Sequence, residues 1–394
     1  MNISISIEER LDIPYLIRNI SPNQLRESIS QKPNGKKRPL GIPTVVDRVI
    51  QQAVAQVLMK KLDSSFSEFS YGFRPGRSAQ MAVLKTLEYI NEGYDWVIDL
   101  DIEAYFDTVN HDKLISILRE KNMNDSTTLH LIRKFMQAGI MEDGLVKPSR
   151  IGVPQGDSLS PIISNVYLDK FDKELENRGL RFVRYADDCN IFVKSEMSAN
   201  RVMKSVTSWL ERKLFLKVSA TKTKVVRPPE SKFLGFTYLQ RNGVWKCKPS
   251  NQSKMKLYDK CRKELVRRIG IARPIAVTFK RINQIVVGWI NYYRIGVMKY
   301  FVDVFGQWLR HKIRVIILKQ WKKPKRIYIN LQKLNKKLRC LFTDEQIFSV
   351  ANTRLGLYRQ ANGHVVNFLL SPKILAIKKK ERPGLVNPLN YYLS

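Results

Sequence analysis

The sequence predicts an α+β fold, with strands and helices interleaved through about residue 240 and an all-helical, basic remainder. Three observations carry that expectation. Short segments around Asp101 and Asp187 alternate apolar and polar residues with a period of two. Beyond Gly243 the apolar residues recur at offsets of three and four. The charge is split: of 69 Lys+Arg and 35 Asp+Glu, residues 240–394 hold 34 basic and only 6 acidic side chains. A chain of 394 residues is two or three domains' worth, which excludes a peptide, a disulfide miniprotein or a lone binding module. Hydrophobic residues at 44% and charged residues at 26% are ordinary globular values and exclude global disorder.

From the front, Thr44-Val-Val-Asp47 reads as a capping box, and Val46, Val49, Ile50, Ala53, Val54, Val57 and Leu58 follow at helical spacing, predicting a helix with that face in the core. Tyr71-Gly-Phe-Arg-Pro-Gly-Arg77 has two glycines and a proline, a fixed turn from which Arg74 and Arg77 are expected to project. In Trp96-Val-Ile-Asp-Leu-Asp-Ile102, Ile98, Leu100 and Ile102 share one face and Asp99 and Asp101 the other, predicting a strand with an acidic side. Pro154-Gln-Gly-Asp-Ser-Leu-Ser-Pro161 reads as a loop feeding a helix from Ile162 to Leu175. Arg181 to Ala186 and Cys189 to Val193 read as a hairpin with Asp187 and Asp188 at its tip.

Behind Gly243, Ile282, Ile285, Val286, Trp289, Ile290 and Tyr293 trace one helical stripe, and Phe301, Val304, Phe305, Trp308 and Leu309 begin another. Lys280, Arg281, Arg294, Lys299, Arg310, Lys312 and Arg314 lie between the core positions. With so few acids nearby these cations cannot be neutralised internally, so a polyanion such as a nucleic-acid backbone is the expected partner. Lys322-Lys-Pro-Lys-Arg326 is read as a linker or a phosphate contact. No run of about 18 apolar residues occurs, and acids at Glu8, Glu9 and Asp12 do not suit a signal peptide. A cytoplasmic protein with no membrane partner is expected. Cys189, Cys247, Cys261 and Cys340 are widely spaced and form no Cys-x-x-Cys pair, so buried free thiols are expected rather than a zinc knuckle or a disulfide framework.

Asp101, Asp187 and Asp188 are the candidate catalytic residues. Each sits in an apolar segment, where a carboxylate is costly unless it holds a cation. Oxygen donors without nearby His or Cys favour Mg2+, with Mn2+ as a substitute, over zinc. Two such ions about 4 Å apart can activate a 3′-hydroxyl and stabilise a pyrophosphate leaving group.

Tyr185-Ala-Asp-Asp188, Asp101-Ile-Glu-Ala-Tyr-Phe106, Pro154-Gln-Gly156 and Phe233-Leu-Gly-Phe236 together resemble the ordered blocks of reverse transcriptases. Arg38-Pro-Leu-Gly-Ile-Pro43, Tyr71-Gly-Phe-Arg-Pro-Gly-Arg-Ser78, Gly288-Trp-Ile-Asn-Tyr-Tyr-Arg294 and Ala351-Asn-Thr-Arg354 resemble, more narrowly, the bacterial group II intron-encoded reverse transcriptase/maturase family. The resemblance implies a right-hand polymerase, with fingers and palm over 1–240, a helical thumb and maturase-specific domain over 241–335, and a basic nucleic-acid-binding region over 336–394. It implies an RNA-directed DNA polymerase that binds group II intron RNA, promotes its splicing and copies it. Its partners would be an RNA template with a DNA primer, deoxynucleoside triphosphates and target DNA.

By the same resemblance, Asp101, Asp187 and Asp188 are the metal-binding acids and Asp99 supports them. Lys222 is a proton donor to pyrophosphate, and Phe106 excludes a ribose 2′-hydroxyl. Lys32 and Arg38 grip the triphosphate, while Gln155 and Gly156 border nucleotide and template. Arg74, Arg77, Arg294 and Lys312 are the expected RNA contacts. The block usually reading Pro-Gln-Gly-Gly-Pro carries Asp157 and Ser158 in place of its second glycine and its last proline, an added carboxylate expected near the nucleotide. Only about 30 residues precede Lys32, fewer than in relatives, and no cysteine-paired endonuclease module is read in the tail, so intron mobility would need a nick made elsewhere. A splicing factor with an inert polymerase half, or a domesticated reverse transcriptase used in DNA repair or phage defence, are the alternatives.

Overall fold

The computed structural model describes residues 25–31, 37–138, 140–142, 145–147, 151–154, 156–339, 341–378 and 383–394. It divides into two compact units, one formed by residues 1–234 with 242–245 and the other by 235–241 with 246–394.

Among its described residues the first unit holds two sheets. In one, β1 (Leu25–Gln31) pairs antiparallel with β2 (Lys37–Ile42) and parallel with a short β4 (Ile140–Glu142), which pairs with β5 (Leu145–Lys147). The second, which carries the acids, has the order β6-β7-β3-β8 and is antiparallel throughout. Its strands are β3 (Trp96–Asp101), β6 (Arg181–Tyr185), β7 (Asp188–Val193) and β8 (Lys224–Val226). Val97, Ile98, Leu100, Phe182, Val183, Ile191 and Phe192 are all buried. Central strands covered on both faces read as apolar runs in which any polar residue must be paired.

The longer helices described in this unit are α1 (Val45–Leu62), α2 (Ala79–Asn91), α3 (His111–Glu120), α4 (Ser126–Gln137), α5 (Ser160–Asn177) and α6 (Glu196–Trp209). Thr44, Ser78, Asn110, Asp125 and Ser195 each accept a hydrogen bond from a first-turn backbone N–H, so the starts of α1, α2, α3, α4 and α6 follow from local side-chain chemistry. The expected inner face of α1 is corrected. Val46, Val49 and Val57 are exposed, and the buried stripe is Asp47, Gln51, Ala55, Leu58 and Leu62. Both stripes have helical spacing; packing within the first unit selected the one containing two polar residues.

The second unit begins with a hairpin, β9 (Phe236–Arg241) and β10 (Val244–Pro249), where only helix was expected after Gly243. Helices α7 (Asn251–Glu264), α8 (Ile275–Tyr293), α9 (Lys299–Trp321), α10 (Pro324–Lys337) and α11 (Asp344–Ala351) follow, with shorter turns of helix to the end. Ile282, Val286, Ile290 and Tyr293 bury the inner face of α8 as the spacing predicts. In α9, Val302 is buried with Phe305 and Leu309, while Val304 faces solvent. Cys189, Cys247 and Cys261 are buried free thiols. Among the described residues no helix is long and apolar enough to cross a membrane.

Candidate active site

The register of the second sheet brings the acids together. Asp101, the last residue of β3, lies directly opposite Asp188, the first residue of β7, and Asp99 lies opposite Asn190. Directly opposed residues of an antiparallel pair project to one side with Cβ atoms about 5 Å apart. Tyr185 pairs with Asp188, leaving Ala186-Asp187 as a two-residue turn, so Asp187 is carried beside that pair. Such a turn needs positive φ, and Ala186 supplies it at +58° without being glycine. A left-handed alanine costs about 1 kcal/mol, which the surroundings must offset.

Arg184 helps do so. It is 1% exposed, and each of its five N–H groups has a partner. Nε and Nη2 donate to the two oxygens of Asp172 at 2.7 and 2.5 Å, and Nη2 also donates to Ser70 Oγ at 2.8 Å. Nη1 donates to Asn165 Oδ1 at 3.3 Å and to the carbonyl of Ala186 at 2.8 Å, which ties the turn down. Burial opposes the guanidinium's charge, but Asp172 outweighs it and holds Arg184 above its ordinary value. From the other side, Tyr71 N donates to Arg184 O at 2.8 Å, and Asn165 Nδ2 donates to Gly72 O at 2.9 Å. A carbon added at Gly72 would lie 3.1 Å from both Ala186 Cα and Tyr185 C and closer still to Ala186 N. The Tyr71-Gly-Phe-Arg segment is therefore the bed of the acidic turn.

Loop 219–223 wraps Asp101. Ser219 N donates to Asp101 O at 2.9 Å, Asp101 N donates to Thr223 Oγ1 at 3.2 Å, and Lys222 Nζ donates to both carboxylate oxygens of Asp101, at 2.8 and 3.1 Å. Asp99 accepts from Ser231 Oγ at 2.7 Å and lies 3.8 Å from Lys224 Nζ, contacts that suit the supporting role expected for it. Desolvation and the neighbouring carboxylates Asp187, Asp101 and Asp99 push the Asp188 carboxyl up to about 7, with Lys222 opposing. Asp188 as a whole residue nonetheless remains exposed. Among the described residues no three acids, His or Cys are gathered tightly enough to hold an ion as they stand. The donor chemistry nevertheless fits a hard cation: Asp101 and Asp188 stand opposite each other on β3 and β7 with Asp187 in the adjoining turn, and the Lys222 ammonium already sits on Asp101.

Phe106 is half-buried, its ring 5.2 Å from that of Tyr105, and its carbonyl accepts from Val153 N at 2.6 Å. The Phe106 segment and the Pro154 loop, expected to border the nucleotide together, are thus hydrogen-bonded neighbours. Gly156 is exposed with φ of +107°. Asp157 is not the open, added carboxylate that the sequence led us to expect. It is buried, and Oδ1 accepts from Ser160 N at 2.8 Å at the start of α5; desolvation pushes its carboxyl up to about 6. Gln155 and Lys32 lie outside the described residues; Arg38 is on β2 opposite Ser30.

The basic candidates divide. Arg74 was expected to reach RNA, but its side chain is 5% exposed and it donates to Asp63 Oδ1 at 2.7 Å and to the carbonyls of Asp63, Ser67 and Ser70, so it staples the loop. Arg77 is half-buried over the Tyr71 ring. In the second unit Arg294 is exposed and lies 5.8 Å from the Tyr391 ring centre, and Lys312 lies 4.9 Å from that of Tyr358. Two sequence blocks meet there: the Phe236 ring lies 4.8 Å from Tyr293, and Tyr293 Oη donates to Ser253 Oγ, which donates to Gly235 O. Sequence reading missed the Arg184–Asp172 pair. The available signal was an arginine at an inward position of an otherwise apolar strand.

Residues 30–238 match the family described as reverse transcriptase (RNA-dependent DNA polymerase), and residues 254–339 match the group II intron, maturase-specific domain. The chain is 31% identical over 242 residues to protein YkfC of Escherichia coli, covering 52% of this chain and 63% of that one. It is 38% identical over 164 residues to the group II intron-encoded protein LtrA of Lactococcus lactis, covering 41% and 27%. It thus spans less than two thirds of the length of these relatives. Apo telomerase from Candida tropicalis superposes with a TM-score of 0.47 at 13% identity, covering 94% of this chain and 64% of that one. With the polymerase-family match running over more than half of its length and the maturase-specific match following it, the chain belongs to the reverse transcriptases of the group II intron-encoded kind.

Proposed function

We propose that the chain is an RNA-directed DNA polymerase that binds group II intron RNA, promotes its splicing and copies it into DNA. The observation that carries this reading is the opposition of Asp101 and Asp188 across β3 and β7 with Asp187 in the adjoining turn. Asp101, Asp187 and Asp188 would hold Mg2+, or Mn2+ in its place. When bound, a pair of such ions activates the primer's 3′-hydroxyl and neutralises the leaving pyrophosphate. The chain's own residues do the rest. Arg184 and Gly72 fix the turn, and Ser231 and Lys224 hold Asp99 alongside Asp101. Lys222 neutralises Asp101 in the free chain and, released from it, can give a proton to pyrophosphate. Phe106 would lie under the sugar, with Gly156 and Gln155 beside the base and Lys32 and Arg38 on the triphosphate. Arg77, Arg294 and Lys312 would contact RNA.

Fingers and palm would occupy residues 1–240, thumb and maturase domain 241–335, and a nucleic-acid-binding region 336–394, in keeping with the charge split. Asp157 gives no support to an inert polymerase half, because its carboxyl is buried and engaged by Ser160 N at the start of α5. The test is extension of a DNA primer on an RNA template by the purified chain. Extension with Mg2+, lost in Asp188→Ala while RNA binding persists, is the expected result. No extension by the wild type at any Mg2+ or Mn2+ concentration would remove the polymerase reading and leave the splicing factor.

A further inference from the structure

Helix α8 contains a glycine that neither its backbone nor its neighbours explain. Glycine inside a helix costs roughly 0.5–1 kcal/mol relative to alanine, and its usual excuse is close packing. Two other helical glycines have that excuse: a carbon added at Gly270 would meet Ile316 Cδ1 at 2.7 Å, and one at Gly306 would meet Arg310 Nη1 at 3.0 Å. At Gly288 it would meet nothing within 4 Å. The gap opens into a recess of about 350 Å3 lined by Trp289, Tyr292, Gln284 and, from α7, Lys256 and Lys260. That volume falls within the ~300–1,000 Å3 of small-molecule sites.

The chemistry of the lining is specific. Trp289 is fixed, its indole N–H donating to Ser253 O at 3.2 Å and its ring 4.6 Å from that of Tyr293. Lys256 and Lys260 are exposed, stand four residues apart on one face of α7, and have no ion pair among the described residues. Flat aromatic surface beside unpaired cations is what a single-stranded nucleic acid uses, the rings for a base and the ammonium groups for its phosphates. The surrounding region, with 34 basic and 6 acidic residues, favours a polyanionic occupant over a cationic one.

We propose that this recess is a nucleotide slot: one unpaired base of a bound RNA enters over the bare backbone at Gly288, against Trp289 and Tyr292, with its flanking phosphates on Lys256 and Lys260. The slot rests on the RNA-binding reading above and names where in the maturase-type domain a single-stranded segment is held. It is a binding site, separate from the carboxylates.

The test is fluorescence anisotropy with a labelled single-stranded RNA, beside thermal unfolding, on the full chain. Gly288→Leu fills the slot and should weaken binding about tenfold, the equivalent of one lost base stack. Gly288→Ala should raise the unfolding temperature by about 1–4 °C, as the open space and helical backbone demand, yet bind RNA several-fold more weakly. The joint Lys256→Ala and Lys260→Ala change should lower the salt slope of binding by about 1.4. Wild-type affinity in Gly288→Ala together with its raised unfolding temperature would overturn the slot, even if Gly288→Leu folded poorly. Failure of the wild type itself to bind RNA would instead overturn the RNA-binding reading on which the slot depends.

Discussion

Replacing Gly72 by alanine should slow polymerisation without touching a carboxylate. The added carbon would sit 3.1 Å from Ala186 Cα and from Tyr185 C and nearer still to Ala186 N, whereas ordinary contact begins at 3.4 Å. All three atoms are backbone, so no side chain can swing aside, and the acidic turn must retreat by roughly 1 Å; a misplacement of that size costs about 10²-fold in rate. Arg184 resists the retreat, because its bond to Ala186 O is shared with those to Asp172, Asn165 and Ser70. Overpacking of this kind also costs about 1–3 kcal/mol of stability. The assay is single-nucleotide incorporation on a primed RNA template at saturating nucleotide, with RNA affinity measured in parallel. Incorporation should fall about a hundredfold while RNA affinity stays. Gly76→Ala in the same loop, where the new carbon meets nothing within 4 Å, should lose some stability and keep its rate. A Gly72→Ala variant as fast as wild type would refute the idea that this loop beds the turn.

Three further outcomes are expected. Asp172→Ala strands the Arg184 charge in the core and should destabilise by about 3–5 kcal/mol, read from denaturant unfolding; a loss below 1 kcal/mol would contradict the buried pair. Asp157 has its pKa raised from 3.8 to about 6, so the fold keeps this proton longer than the unfolded chain does, and its ionisation lowers stability as pH rises through that window. Asp157→Asn keeps the oxygen that caps Ser160, so its stability relative to wild type should rise by about 2–3 kcal/mol between pH 4 and pH 8; a pH-independent difference would contradict the buried carboxyl. RNA affinity should fall about a thousandfold between ~50 and ~200 mM salt if six phosphates are neutralised, and a flat response would contradict the role given to the basic half.

What the sequence made legible follows from how far each determinant lies along the chain. The acidic face of β3 and the β6–β7 hairpin are local patterns of period two with a turn, and both form as the spacing predicts, except that the turn is Ala186-Asp187 and Asp188 is the first residue of β7 rather than part of the tip. The helical stripe of α8 is equally local. Arg184 is different: its inward position is visible in Phe182-Val-Arg-Tyr185, but its partners are at Asp172, Asn165 and Ser70, the last 114 residues away, so the pair itself could not be read locally. Arg74 was misassigned for the same reason, since its carboxylate partner Asp63 precedes the loop that seemed to present it. The valines of α1 satisfied helical spacing, but spacing cannot say which of two stripes a neighbour will cover. The burial of Asp157 against Ser160 N is a feature of the folded loop that its neighbours in sequence do not announce.

The account stands or falls on Asp101 and Asp188 serving one site, and single-nucleotide incorporation by a double-mutant cycle tests that directly. Asp101→Asn and Asp188→Asn should each reduce incorporation to near background, and the combined variant should lose nothing more, as residues acting as a unit do. Either variant extending at the wild-type rate, or losses that multiply independently, would contradict it.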